Sequence, residues 1–66
     1  MRIVLNGESR ETAGGATLAG VLAEAGLPER GVAVAVDGEV VRRTDWPEHR
    51  LTEGTRVEVL TAVQGG

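Results

Sequence analysis

The clearest structural signal in the sequence is Val32-Ala33-Val34-Ala35-Val36-Asp37-Gly38-Glu39-Val40-Val41. Its first five residues are apolar on both alternating faces, which is typical of a strand with neighbours on both sides. Asp37-Gly38 is a strong signal for a two-residue hairpin turn, because both residues tolerate positive φ. The stretch therefore predicts two antiparallel strands, Val32 to Val36 and Glu39 to Arg42.

An earlier hairpin is predicted at the start of the chain. Met1 to Leu5 has the composition of an apolar strand, and Asn6-Gly7 is a second hairpin signal. Residues Glu8 to Thr12 are mostly polar, so we expect their return strand to lie at a sheet edge.

A helix is predicted between the two hairpins. Thr17 has the side chain of an N-cap residue. Apolar residues follow it at the spacing of one helical face, and Gly26 and Pro28 end the pattern. The residues of this face are Leu18, Val21, Leu22 and Ala25.

A last strand is predicted after a short turn or 3₁₀ segment at Asp45 to His49. Val57 and Val59 alternate with charged residues, so the valines point into the core and Leu60 falls on the outward side. The order of hairpin, helix, hairpin and strand indicates an α+β fold. We expect a sheet of about five strands with one main helix packed on one face.

The composition excludes several classes of protein. The 66 residues include no cysteine, so neither disulfides nor a thiolate metal site can stabilise the chain. Seven arginines against ten acidic residues give a net charge of −3, and Trp46 is the one aromatic residue, so we expect no nucleic-acid partner. The longest apolar run has five residues, so we expect no membrane association and a cytoplasmic protein.

The polar residues form no strong catalytic motif. Ser9, His49 and either Asp45 or Asp37 supply the residue types of a hydrolytic triad, but Ser9 falls in the predicted edge strand without a nucleophile turn around it. His49, Asp45 and Glu48 are a weak signal for a metal site. We interpret these residues as surface groups, and we expect no catalytic residue, no metal and no bound cofactor.

Two glycines, Gly65-Gly66, end the sequence directly after a strand-like apolar segment. A terminal carboxylate is ionised at neutral pH and must be activated, for example as an acyl-adenylate, before it can react. Glycine has no Cβ, so this tail could pass through a narrow channel in an activating enzyme. We expect a folded domain at residues 1–63 and a flexible tail at residues 64–66. A frayed end without function is the alternative.

A reactive tail also needs a docking surface, because ordering the tail on a partner costs conformational entropy. The predicted last strand turns Leu60 outward, and Val4 and Ala62 are expected on the same side of the sheet. These three residues are the predicted partner-binding patch.

Several stretches carry a resemblance to one known family. They are Met1 to Gly7, Thr17-Leu18, Val34 to Val41, Arg43 to Trp46, Leu51, Glu53 to Leu60 and Val63 to Gly66. Over nearly its whole length the chain resembles the ThiS family, the sulfur carriers of thiamine (thiazole) biosynthesis. The Gly-Gly end alone is less specific, since ubiquitin-like proteins and the small subunit of molybdopterin synthase share it.

The resemblance implies a β-grasp (ubiquitin-like) fold and a carrier role. Gly66 would be adenylated by a ubiquitin-activating-type enzyme that uses ATP and magnesium, and then converted to a thiocarboxylate. The sulfur would come from a donor such as a cysteine desulfurase, and thiazole synthase would take it into the thiazole of thiamine. Gly65 and Gln64 would be recognised beside the covalent site. The chain would be a cosubstrate and not an enzyme, and a monomer when free.

Three other functions stay open at this point. The chain could be a carrier of the molybdopterin-synthase small-subunit type, a ubiquitin-like modifier joined to lysine side chains, or a passive β-grasp interaction module. They differ in what becomes of Gly66: a thiocarboxylate for another partner, an isopeptide, or no reaction.

Overall fold

The computed structural model describes residues 1–61, in which it shows five strands, one α-helix and one 3₁₀ helix. The strands are β1 (Arg2–Leu5), β2 (Glu8–Glu11), β3 (Val32–Val36), β4 (Glu39–Val41) and β5 (Arg56–Thr61). Helix α1 spans Leu18–Glu24, and the 3₁₀ helix spans Arg43–Glu48. The predicted order of elements is confirmed, and most predicted bounds are within one residue of those observed.

The five strands form a single mixed sheet in the order β2-β1-β5-β3-β4. Strands β1 and β5 are parallel, and the other neighbours are antiparallel. The first and last strands of the described chain therefore lie side by side in the sheet, which is the β-grasp arrangement. Strand β3 lies between β5 and β4, as its apolar residues on both faces predict.

The hydrophobic core fills the space between the sheet and α1. Alternate residues of β1, β3 and β5 point toward the helix, and one apolar stripe of α1 meets them. Trp46 and Leu51 complete this core after the last hairpin. The buried core residues are Ile3, Leu5, Leu18, Val21, Leu22, Val34, Val36, Trp46, Leu51, Val57 and Val59. The predicted inward side of β5 is thus confirmed.

Thr17 caps the start of α1, as predicted. Its hydroxyl oxygen accepts a hydrogen bond of 3.2 Å from the backbone N–H of Gly20. A Cβ at position 20 would lie 3.3 Å from the same hydroxyl oxygen. The glycine inside the helix, which the periodicity does not explain, therefore avoids mild crowding of the capping hydroxyl.

The 3₁₀ helix closes one end of the core. Trp46 is buried, and its indole Nε1–H donates a 2.9 Å hydrogen bond to the carbonyl of Val41. The next residues are tied to α1, because the carbonyl of His49 accepts from the N–H of Leu18 at 2.8 Å. This segment is thereby fixed against both β4 and the helix.

The two hairpin turns have closely similar φ angles. Asn6 and Asp37 both have φ of 50°, and the glycines that follow have φ of 83° and 87°. Asparagine and aspartate tolerate this left-handed conformation better than most residues, and glycine adopts it freely. Both turns also contact β5 through a side-chain oxygen of their first residue.

No helix within residues 1–61 combines the length and the apolar character that crossing a membrane requires. The predicted domain boundary at residue 63 and the predicted tail at residues 64–66 lie outside the described residues.

Candidate functional site

An exposed apolar patch occupies the face of the sheet that turns away from α1. Leu60 on β5 and Val40 on β4 are 73% and 75% exposed, the two large exposed hydrophobic residues of the described chain. Strand β3 lies between them and contributes Ala33, opposite Leu60, and Ala35, opposite Val40. These four residues, here called the open-face patch, cross three strands.

The open-face patch is concave. It lines a cavity of about 650 Å³ that also borders Glu58 and the Asn6-Gly7 turn. The cavity walls are thus mostly apolar, with one carboxylate at their edge. Such a surface suits aliphatic side chains of a protein partner, because apolar residues dominate the buried centre of a protein interface.

The structure places Leu60 and Val4 on the same side of the sheet, as predicted, but it does not bring them together. The neighbours of Val4 on β1, Ile3 and Leu5, are buried, so Val4 points to the open side. Val4 pairs with Arg56 on β5. Leu60 lies four residues further along that strand, about 13 Å away at the usual rise per residue. The neighbours of Leu60 are instead those of the open-face patch.

The residues predicted to react or to be recognised lie outside the described part of the chain. They are Gly66, Gly65, Gln64 and the third predicted patch residue, Ala62. The described chain ends with Thr61, which pairs with Val32 of β3. Strand β5 therefore carries both Leu60 and the connection to residues 62–66.

The polar residues weighed as catalytic or metal-binding groups lie on different elements. Ser9 is on the exposed edge strand β2, where its hydroxyl oxygen accepts from Nη1 of Arg2 at 3.2 Å. Asp45 and His49 lie in and after the 3₁₀ helix. Across residues 1–61, no three His, Cys, Asp or Glu side chains are grouped so that they could hold a metal ion.

Sequence reasoning missed three residues of the open-face patch and one contact beside it. A two-residue turn at Asp37-Gly38 makes Ala35 pair with Val40. The pairing of these two patch residues could therefore have been predicted from the hairpin signal. The pairing of Ala33 with Leu60 depends on the register of β3 against β5, which no local pattern specifies. The contact of Asn6 with β5 spans 53 residues of sequence and has no local signal either.

Together the fold and its surface define a small ubiquitin-like β-grasp domain with an apolar patch on its open sheet face. The profile of the ThiS family matches residues 3–66, and the chain belongs to this family.

Three similar proteins illustrate the relationship. The chain is 42% identical over 62 residues to the sulfur carrier protein ThiS of Thermus thermophilus, which covers 94% of this chain and 95% of that protein. It is 30% identical over 66 residues to a thiazole synthase of Paramagnetospirillum magneticum, of which it spans 20% of the length. The crystal structure of the thiamine biosynthesis protein ThiS from Geobacter metallireducens matches with a TM-score of 0.85 and 25% identity, covering both chains completely.

Proposed function

We propose that this chain carries sulfur as a thiocarboxylate on Gly66 and delivers it to the enzyme that forms the thiazole of thiamine. Membership of the ThiS family makes the chain a sulfur carrier of thiamine biosynthesis, and this is the observation on which the proposal depends. The assignment of the chemistry to Gly66 is supported by the Gly65-Gly66 sequence and by the need for an activatable carboxylate.

The chemistry at Gly66 would take place in two steps on partner enzymes. In the first, a carboxylate oxygen attacks the α-phosphorus of ATP, pyrophosphate leaves, and an acyl-adenylate forms. In the second, the terminal sulfur of a persulfide on the donor attacks the carbonyl carbon and AMP leaves. A thiol then cleaves the resulting acyl disulfide, which releases the thiocarboxylate and leaves a disulfide on the donor. The adenylating enzyme would bind ATP and magnesium, and a donor such as a cysteine desulfurase would supply the sulfur. The chain would take part as a cosubstrate and not as a catalyst.

The open-face patch would dock the chain on its partners. Leu60 and Val40 are exposed aliphatic side chains in a concave surface, and burying such anchors is a common source of binding energy. Leu60 of the patch lies on the strand that leads to residues 62–66, so docking there would bring Gly65 and Gln64 to the partner's channel. Val4 and Ala62 would extend the same contact.

A thiazole synthase as the receiving partner is supported by one of the comparisons. A thiazole synthase resembles this chain over a fifth of its own length, so a carrier-like segment and the synthase occur in one polypeptide. The adenylating enzyme and the sulfur donor follow from the chemistry of a carboxylate that must be activated and then loaded.

The test compares the full chain with a variant that lacks Gly66. Both would be incubated with the adenylating enzyme, ATP and magnesium, and then with the sulfur donor, and their intact masses would be recorded. We expect the full chain alone to gain AMP and then to exchange one oxygen for sulfur, while circular dichroism shows the same fold in both. Sulfur loading of the variant without Gly66 would contradict the proposal.

A second measurement separates the sulfur carrier from the other functions. The chain would be purified from its own cells without reducing or alkylating agents, and its mass and its partners would be determined. A thiocarboxylate and co-purified thiazole synthase are expected. A larger molybdopterin-synthase subunit, or Gly66 joined to lysine side chains, would indicate one of the other carriers or modifiers.

A further inference from the structure

Glu58 borders two depressions on the open side of the sheet. One is the cavity of the open-face patch, which Glu58 and Gly7 both line. The other is a smaller depression of about 170 Å³, which the same two residues line together with Val4 and Arg56. A partner that extends from one depression into the other must therefore cover Glu58.

The outward side chains of β5 follow a fixed order. Arg56, Glu58 and Leu60 are exposed, and they alternate with the buried Val57 and Val59. Successive members of this outward row lie about 7 Å apart at the usual rise per residue. A positive charge, a negative charge and an aliphatic side chain thus stand in line on one strand, and the aliphatic side chain belongs to the open-face patch.

The strand next to Glu58 offers it an apolar neighbour. Glu58 pairs with Ala35 of β3, and Ala35 pairs in turn with Val40 of β4. A wholly apolar partner surface that covered this row would take water from the carboxylate and return no hydrogen bond. Such a loss is costly for a charged group, so the partner has to supply a donor.

We propose that the adenylating enzyme binds the open-face patch in one orientation, with a cationic side chain against Glu58 and a carboxylate against Arg56. Apolar contacts are not directional, so four aliphatic side chains alone would accept a partner surface in several orientations. Two opposite charges beside the patch remove this freedom, because a rotated partner would bring like charges together. This inference rests on the function proposed above.

The charges favour the adenylating enzyme as the occupant. This enzyme must hold the phosphates of ATP and the ionised carboxylate of Gly66, which requires cationic groups around its site. The chain has a net charge of −3, so a cationic surface attracts it before contact. Within the patch cavity, Glu58 is the carboxylate that such a surface would meet.

The test exchanges the two charges on β5. The double variant Arg56→Glu/Glu58→Arg keeps the net charge of the chain but reverses the order of the charges along the strand. Its matched control is Glu8→Arg/Arg10→Glu, which makes the same exchange on the edge strand β2. Glu8 and Arg10 pair with inward-pointing residues of β1, so they lie on the side of the sheet that faces α1.

Glu58→Gln is included because it removes the charge and keeps the size of the side chain, should the double exchange weaken the fold. Circular dichroism and urea denaturation would establish that each variant is folded. Each would be assayed with the adenylating enzyme, ATP and magnesium over a range of chain concentrations. The kcat and KM of adenylate formation would be measured at ionic strengths of about 0.05 and 0.5 M.

We expect Arg56→Glu/Glu58→Arg to raise the KM for the chain more than tenfold and Glu58→Gln to raise it about fivefold. Their kcat should stay close to that of the wild type, because these charges act in binding the chain and not in the reaction. The exchange on β2 should change neither value. The increases in KM should shrink at the higher ionic strength, which screens exposed charges.

Two results would overturn the oriented docking while leaving the carrier function in place. One is an active wild type with equal KM values for the two exchange variants. The other is an increase in KM that is the same at both ionic strengths, since it would assign the loss to packing. Failure of the wild type itself to form an adenylate would instead refute the proposed function, and the inference with it.

A second copy of this chain is the competing occupant of the open-face patch. Two antiparallel copies of β5 would set Arg56 of each against Glu58 of the other, and this match survives when both charges are exchanged. Sedimentation of the free chain would detect it. A dimer that persists in the Arg56→Glu/Glu58→Arg variant would overturn the proposal, whereas a monomer in both proteins is the expected result.

Discussion

Leu60 is an exposed residue at which the effect of a substitution on partner binding can be separated from its effect on stability. The side chain is 73% exposed and lies outside the core, so its replacement should change the free energy of unfolding by less than about 0.5 kcal/mol. The same side chain lies in the open-face patch. A charged residue placed there would be buried when a partner binds the patch. Binding and folding should therefore respond differently to its substitution.

We predict that Leu60→Arg weakens binding to the adenylating enzyme about tenfold or more, since anchor residues commonly contribute above 1 kcal/mol. Titration calorimetry would give the dissociation constant, and a urea titration would give the stability. Ala23→Arg is the matched control, because Ala23 is exposed on α1, away from the open-face patch. Equal affinities of the two variants would exclude the patch from the interface.

The residues of the site differ in how far the sequence could predict them. The outward position of Leu60 follows from strict alternation in β5, which is a local property. Val40 needed only the hairpin register, whereas Ala33 needed the pairing of two strands that are distant in sequence. The predicted role of Gly66 came from carboxylate chemistry and family resemblance, and residues 62–66 lie outside the described chain.

Among the secondary-structure elements, helix α1 begins with two coupled residues. Thr17 caps the helix, and Gly20 has no Cβ that would crowd the Thr17 hydroxyl. We predict that Thr17→Ala lowers the free energy of unfolding by about 1 kcal/mol, because the N–H of Gly20 loses its acceptor. Chemical denaturation followed by circular dichroism would measure the loss. A change near zero would mean that water caps the helix equally well.

Gly20→Ala should stabilise the chain more in the Thr17→Ala background than in the wild type. Alanine favours a helix over glycine by about 1 kcal/mol. In the wild type its Cβ would lie 3.3 Å from the Thr17 hydroxyl, and that crowding offsets part of the gain. The four proteins form a double-mutant cycle, and additive effects would show that cap and glycine are independent.

The 3₁₀ helix depends on Trp46 in a way that can be measured separately. Trp46→Phe keeps an aromatic ring but removes the hydrogen bond to the carbonyl of Val41. We expect a loss of about 1 kcal/mol, the usual contribution of one hydrogen bond, because the partly buried carbonyl of Val41 loses its donor. Since this variant has no tryptophan, circular dichroism is the suitable measurement, and wild-type stability in the variant would contradict the expectation.

The elements themselves were predictable because their signals are local. Asn6-Gly7 and Asp37-Gly38 specify turns by their φ angles, and Thr17 and Gly26 bound the helix. The parallel pairing of β1 with β5 is different, since periodicity gives the order of strands along the chain but not their order in the sheet. That part of the fold came from analogy with the β-grasp arrangement.

For the molecule as a whole, one small core has to supply the stability. A domain of this length has a free energy of unfolding of about 3–10 kcal/mol. Leu18 is fully buried between helix and sheet, and Leu18→Ala should cost about 2–5 kcal/mol. Thermal denaturation should therefore show a large fall in Tm, with part of the population unfolded at physiological temperature.

Leu60→Ala is the matched control for Leu18→Ala, because it removes the same atoms from an exposed position. Its Tm should stay close to that of the wild type. Similar losses in the two variants would mean that burial does not decide the stability of this domain.

The place of β5 between β1 and β3 determines when this domain can fold during protein synthesis. The ribosome makes β1 first, and β1 can pair with β2 at once, but the two halves of the sheet meet only through β5. The second edge of β1 therefore stays unpaired until β5 has emerged. At about 5–20 residues per second this delay lasts seconds, during which cellular proteases meet an unfolded chain. A product of premature termination before β5 would lack the strand that joins the two halves of the sheet and would be degraded. Only chains whose translation has continued past β5, the strand that leads to the predicted reactive end, can therefore fold.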